Sequence, residues 1–105
     1  MKIYSLQADL CKALAHPVRL EILDLLSKRE HTVEQLTKLT GSGQSNLSQH
    51  LAALRQQKLV VPRRAGMNVY YDLSNPKIAD ACGLIRKLLV ELLEDEHEVV
   101  RKIEA

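Results

Sequence analysis

At 105 residues the chain suits one compact domain, residues 1–105, and is too short for two ordinary ones. Hydrophobic residues form 46% and charged residues 27%, which excludes a disordered chain, and 3% aromatics with no Trp or Phe leaves a core of Leu, Ile, Val and Ala, suited to packed helices. No run approaches the roughly 20 apolar residues that cross a bilayer, Asp9 interrupts any N-terminal apolar region, and Cys11 and Cys82 are too few for a disulfide framework, so no membrane partner, a cytoplasmic location and reduced thiols are expected.

Leu6, Leu10, Ala13 and Leu14 recur at helical spacing within Ser5–Ala15, which predicts a first helix. His16 reads as a turn residue before Pro17, which suits the first turn of a second helix carrying Val18, Leu20, Ile22, Leu23, Leu25 and Leu26 as far as the polar run Ser27–Glu30. So dense an apolar set belongs in the core. Thr32, with Gln35 three residues on, forms a capping box that opens a short helix burying Val33, Leu36 and Leu39 and stopping at Thr40-Gly41. His31 and His97 read as surface positions. After the tight turn Gly41-Ser42-Gly43, a fourth helix runs from Gln44 to Gln57 with Leu47, Leu51 and Leu54 on one stripe.

Leu59–Arg64 and Asn68–Leu73 have strand content and flank the tip Ala65-Gly66-Met67, so they form a β-hairpin in which Pro62, lacking an N–H, must lie on an edge. Ser74 or Asn75 can cap a final helix with Pro76 in its first turn. Ile78, Cys82, Ile85, Leu89 and Leu92 then follow at spacings of four, three, four and three, and that helix can continue to the end of the chain.

Two short helices joined by a Gly-containing turn, with a hairpin directly after the second, spell a winged helix-turn-helix: mainly α with a small β-hairpin wing. The second helix of the pair is the candidate recognition helix. Its apolar stripe seats it on the core, while Gln44, Ser45, Asn46, Ser48, Gln49 and His50 can project toward base edges in double-stranded DNA. His50 has an equal alternative at the helix shoulder, bonding within the fold. Net charge is only +2, yet no acidic residue stands between Glu34 and Asp72, whereas Glu91, Glu94, Asp95, Glu96 and Glu98 crowd the C-terminal end. A polyanion is steered to one face and repelled by the other. Within that interval Arg55, Lys58, Arg63 and Arg64 can neutralise phosphates, setting affinity more than sequence preference.

From about Ala8 to Leu93 the chain resembles the ArsR/SmtB family of bacterial and archaeal winged-helix repressors. The resemblance rests on Lys12-Ala13-Leu14-Ala15-His16-Pro17-Val18-Arg19-Leu20-Glu21-Ile22-Leu23, on Gln44-Ser45-Asn46-Leu47-Ser48-Gln49-His50-Leu51, and on Val69-Tyr70-Tyr71-Asp72-Leu73. It implies a homodimer held by the first and last helices, a palindromic operator read in two successive major grooves, and repression relieved by an inducer. The apolar residues of those two helices agree with a dimer; their alternative is closure of the monomer's own core.

Three departures from the family pattern stand out. Lys58 replaces the usual Gly between recognition helix and wing, which strains a left-handed helix end. Gly43 with Ser42 beside it replaces the usual Ser cap, leaving the helix start open by a residue. Thr32-Val33-Glu34 stands where metal-sensing members carry Cys-Val-Cys, and Asn75, Lys77, Leu88 and Glu91 stand where others bind zinc, so neither metal site is expected.

The soft ligands left are Cys11 and Cys82, on the two helices the resemblance places at the dimer interface. They are a candidate site for a metal or metalloid ion, or for oxidation or persulfidation, against the alternative that both only pack. A winged-helix protein-interaction module without nucleic acid is the competing function, and the acid-free interval discriminates against it. Nothing in the chain has the spacing of a catalytic triad, a phosphate loop or a zinc-protease helix, so no enzyme is expected.

Overall fold

The computed structural model describes residues 2–104, the side chains of residues 99 and 100 excepted. α1 (Lys2–Leu14) starts three residues before the expected helix and ends one before it. His16 is indeed a turn residue: in extended conformation it caps α2 (Pro17–Lys28), its Nδ1 accepting the Val18 N–H at 3.2 Å, with Pro17 where no helical N–H is needed. α3 (Val33–Thr40) opens with the expected capping box. The Thr32 hydroxyl accepts from the Gln35 N–H at 3.1 Å, and Gln35 Oε1 accepts from the Thr32 N–H at 3.0 Å.

Gly41 ends α3 at φ 71°, a left-handed conformation that glycine adopts without a Cβ penalty. α4 (Gln44–Gln56) follows after three residues. Its far end is a Schellman motif: the Leu59 N–H reaches the Leu54 carbonyl at 3.0 Å, the Lys58 N–H reaches the Arg55 carbonyl at 2.9 Å, and Leu54 and Leu59 are both buried. Lys58 occupies the left-handed position of that motif at φ 60°, as the missing glycine implied. The Ser74 hydroxyl donates to the Lys58 carbonyl at 2.6 Å and holds the junction.

β2 (Val60–Ala65) and β3 (Asn68–Leu73) form the expected hairpin, shifted by one residue in its first strand. One strand was not foreseen. β1 (His31–Thr32) pairs with β3, His31 opposite Tyr71 and Thr32 opposite Tyr70, which makes a three-stranded antiparallel sheet of order β1-β3-β2. β2 is thus an edge strand, as Pro62 required. The expectation that His31 lies at the surface is overturned: it is 3% exposed, and its Nδ1–H donates to the Arg29 carbonyl at 2.8 Å. Two residues are too few to display strand alternation, so nothing local marked that burial.

Asn75, rather than Ser74, caps the last helix, its Oδ1 accepting the Lys77 N–H at 2.9 Å. α5 (Lys77–Glu104) then runs 28 residues.

The core joins Ala13 of α1, Ile22, Leu23 and Leu26 of α2, Leu36 of α3, Leu47, Leu51 and Leu54 of α4, and Leu59 and Val60 at the start of the wing. Truncating any one of these buried leucines to Ala costs about 2–5 kcal/mol. α4 is therefore firmly seated by its apolar stripe. Leu39, expected inside, is 53% exposed at the penultimate position of α3.

Candidate nucleic-acid interface

The stripe that seats α4 leaves its other side to solvent. Gln44, Ser45, Asn46, Ser48 and Gln49 are all exposed, uncharged and able to donate or accept hydrogen bonds. Gly43 holds the N-cap with no side-chain bond, so no hydroxyl or carboxylate competes for the first-turn N–H groups, which carry the positive end of the helix dipole.

Strand alternation divides the wing's cations. Arg64 lies opposite Val69 and shares a face with Pro62 and Tyr71; with Arg55 from the last turn of α4, these residues line a concavity of about 300 Å³. Arg55 and Arg64 therefore border one hollow beside α4. Arg63, opposite Tyr70, points the other way. Its Nε donates to Glu30 Oε2 at 3.0 Å, an Nη donates to Oε1 of the same carboxylate, and its carbon lies 5.1 Å from the Tyr70 ring centre. The Arg63 hydrogen bond holds the Glu30 carboxyl below the ordinary carboxylate range, against a smaller opposing effect of burial. Sequence order concealed this pair, because Glu30 lies outside the acid-free interval and the β1–β3 pairing returns it to the wing.

His50 is half-buried at the shoulder of α4. Its Nδ1 accepts from Arg19 Nε at 3.0 Å, and its ring centre lies 4.3 Å from that of His16 with the planes at 46°. Partial burial, then the nearby His16 and Arg19, pushes its pKa down from the usual 6.5. Arg19 is the partner that the sequence did not reveal. No local signal marked it, because α2 also carries Glu21, Asp24 and Lys28 and one more charge there does not stand out.

Cys11 is exposed and Cys82 half-buried. Cys82 opens onto a cleft of about 420 Å³ between α1 and α5, walled by Leu10, Leu14, Leu59, Ile78 and Ala81, and Cys11 is not part of that wall. Burial pushes the Cys82 thiol up, outweighing the nearby Arg86, which disfavours the thiolate that reacts and binds metals. Among the described residues no group of three or more His, Cys, Asp or Glu is placed to hold a metal ion.

α1 and α5 carry exposed large apolar side chains. Ile3, Tyr4 and Leu6 on α1, and Leu84, Ile85, Leu88, Leu89, Leu92 and Leu93 on α5, are each more than half exposed. Only Ile78 and Cys82 of the expected α5 stripe pack against the core. No helix among the described residues is long and apolar enough to cross a membrane.

The chain's relatives agree with this architecture. Residues 16–61 match the family model for bacterial regulatory proteins of the arsR family. An uncharacterised helix-turn-helix-type transcriptional regulator of Mycobacterium tuberculosis, Rv0081, is 39% identical over 104 residues, which cover 98% of this chain and 91% of that protein. Its crystal structure superposes with a TM-score of 0.85 over 91% of this chain and 97% of its own. The solution structure of a homodimeric winged helix-turn-helix DNA-binding domain from Mycobacterium bovis, a possible ArsR-family regulator, is 35% identical and covers 90% of this chain and 87% of its own, with a TM-score of 0.82. The transcriptional repressor PagR of Bacillus anthracis is 38% identical over 82 residues, 77% of this chain and 79% of its own. With winged helix-turn-helix architecture and relatives of this identity and coverage, the chain belongs to the arsR family of bacterial regulatory proteins.

Proposed function

We propose that the protein is a cytoplasmic, sequence-specific DNA-binding transcriptional regulator that represses by occupying a palindromic operator as a homodimer. The observation that carries this reading is the exposed, uncharged polar face of α4 beside the hollow bordered by Arg55 and Arg64. Gln44, Asn46 and Gln49 supply amides suited to adenine edges, and Ser45 and Ser48 add adaptable hydroxyls. Arg55, Arg64 and the uncapped start of α4 hold phosphates and fix the register on the duplex. Arg63, engaged by Glu30, braces the wing.

The apolar face of α1 and α5 supports the dimer. Burying a single Leu there contributes about 1.5–3 kcal/mol, so a second copy across this face is worth far more than leaving it in water. Two-fold symmetry then places the α4 helices in successive major grooves, about 34–36 Å apart. One domain carries both the DNA and the dimer contacts.

The test is selection of bound fragments from genomic DNA, followed by gel shift across a salt series and footprinting. The expected result is a specific shift whose log affinity falls linearly with log salt, by about 0.9 per phosphate contact, with two protected half-sites. A winged-helix module that docks only proteins gives no specific shift, and that result overturns the reading.

A further inference from the structure

Arg19 and His50 are 31 residues apart in sequence and join α2 to α4 through the 3.0 Å Nε–H to Nδ1 hydrogen bond. The same guanidinium donates from Nη1 to the Ala13 carbonyl at 3.3 Å, so it also grips the last turn of α1. On the other side, the His16 ring is anchored by the Val18 N–H and packs against the His50 ring. Partners from within the fold therefore hold His50 on two sides. With Nδ1 of His50 engaged by Arg19, the ring has one nitrogen left, and its orientation is set from within the fold and not by a base.

The core contacts of α4 do not replace this bond. Leu47, Leu51 and Leu54 keep the helix on the core, but apolar contact is non-directional and tolerates small rotations about the helix axis. Base-edge hydrogen bonds tolerate little, since they weaken steeply away from linear geometry. A directional bond at the helix shoulder supplies the missing constraint. We infer that Arg19 and His50, buttressed by His16, form a brace that sets the rotation of the recognition helix, so that both are positioning residues and not base readers.

Protonation opens this brace. The neutral ring accepts at Nδ1; in the charged ring both nitrogens are donors, and Nδ1–H then faces the Arg19 N–H. Among the described residues, the charged or titratable groups that act on His50 are His16 at the α2 cap and Arg19 on α2; none on α1, α3 or β2 shifts it. Partial burial first, then these two groups, disfavour the protonated ring, which keeps the brace closed at neutral pH.

The inference rests on α4 being the DNA-reading helix, so the probe is a duplex recovered by in vitro selection with the wild-type protein. Binding is measured to this duplex and to its single-base variants, from neutral pH down to about pH 5. His50→Ala and Arg19→Gln are each expected to weaken binding to every duplex by about tenfold, the size of one hydrogen bond to a charged group. The double variant should lose no more than the weaker single. His50→Asn, which keeps an acceptor near Nδ1 and cannot protonate, should bind like wild type at neutral pH and lose the additional fall in acid.

A change of preference at one base pair with His50→Ala alone, or losses that multiply in the double variant, overturns the inference. If Arg19→Gln fails to fold, the His50 variants decide: rescue by Asn supports the brace, and equal loss in Ala and Asn rejects it. Failure of the wild type to bind any selected duplex would instead reject the DNA-reading role of α4 itself.

Discussion

Arg63 and Arg64 are consecutive on β2, yet Arg63 grips Glu30 beneath the wing while Arg64 faces the hollow it shares with Arg55. The alternating pleat of one strand thus gives two adjacent identical side chains different work. Arg64→Ala is expected to flatten the dependence of log affinity on log salt by about 0.9, the loss of one phosphate contact, and to weaken all sequences similarly. Arg63→Ala should leave that slope unchanged. Gel shifts over a salt series measure both, and equal slope changes would return Arg63 to the DNA face.

Base preference is expected to reside in α4. Gln49 is exposed at mid-helix and free of bonds to its own chain among the described residues. Gln49→Ala should relax preference at one position of each half-site, at a cost of about 1–3 kcal/mol against the best sequence and little against the others. Repeating the selection with the variant reads this directly. An unchanged preferred sequence, with affinity reduced uniformly, would mean that Gln49 touches backbone and not a base.

What was legible in the sequence was local. The Thr32–Gln35 box, Pro17 at a helix start and the edge position of Pro62 each have a local chemical signature that survives in a single chain, whereas the strain at Lys58 was legible only through the family resemblance. What escaped was non-local. Glu30 meets Arg63 and Arg19 meets His50 across more than 30 positions, and β1 exists only because β3 pairs with it. Periodicity also shows that a helix has an apolar face without showing what covers it. Leu36 and Leu39 were expected to be buried together, yet Leu36 is fully covered and Leu39 half exposed.

Lys58 offers a test of stability independent of DNA. A residue with a Cβ in the left-handed region carries a penalty of about 1–2 kcal/mol, and Lys58 is exposed with no side-chain bond to lose among the described residues. Lys58→Gly should raise stability by about 1 kcal/mol, part of the relief being offset by the freer unfolded chain. Lys58→Ala, which keeps the Cβ, should give no such gain. Denaturant melts compare the three proteins, and a gain in the Ala variant equal to that in Gly would show that charge, not backbone strain, was the cost.

The exposed face of α5 tests the assembly. Leu92 is 56% exposed and lies beyond the last contact of α5 with the core, so Leu92→Glu removes little from a single chain. Across a two-fold axis, the same change buries an unpaired carboxylate in each subunit, which costs several kcal/mol per charge. The variant should therefore sediment as a monomer, retain a cooperative melt, and lose the second protected half-site in footprinting while keeping weak binding to a single one. A variant that keeps the wild-type mass and footprint would place the dimer contact elsewhere, and the apolar residues of α5 would then need a different partner.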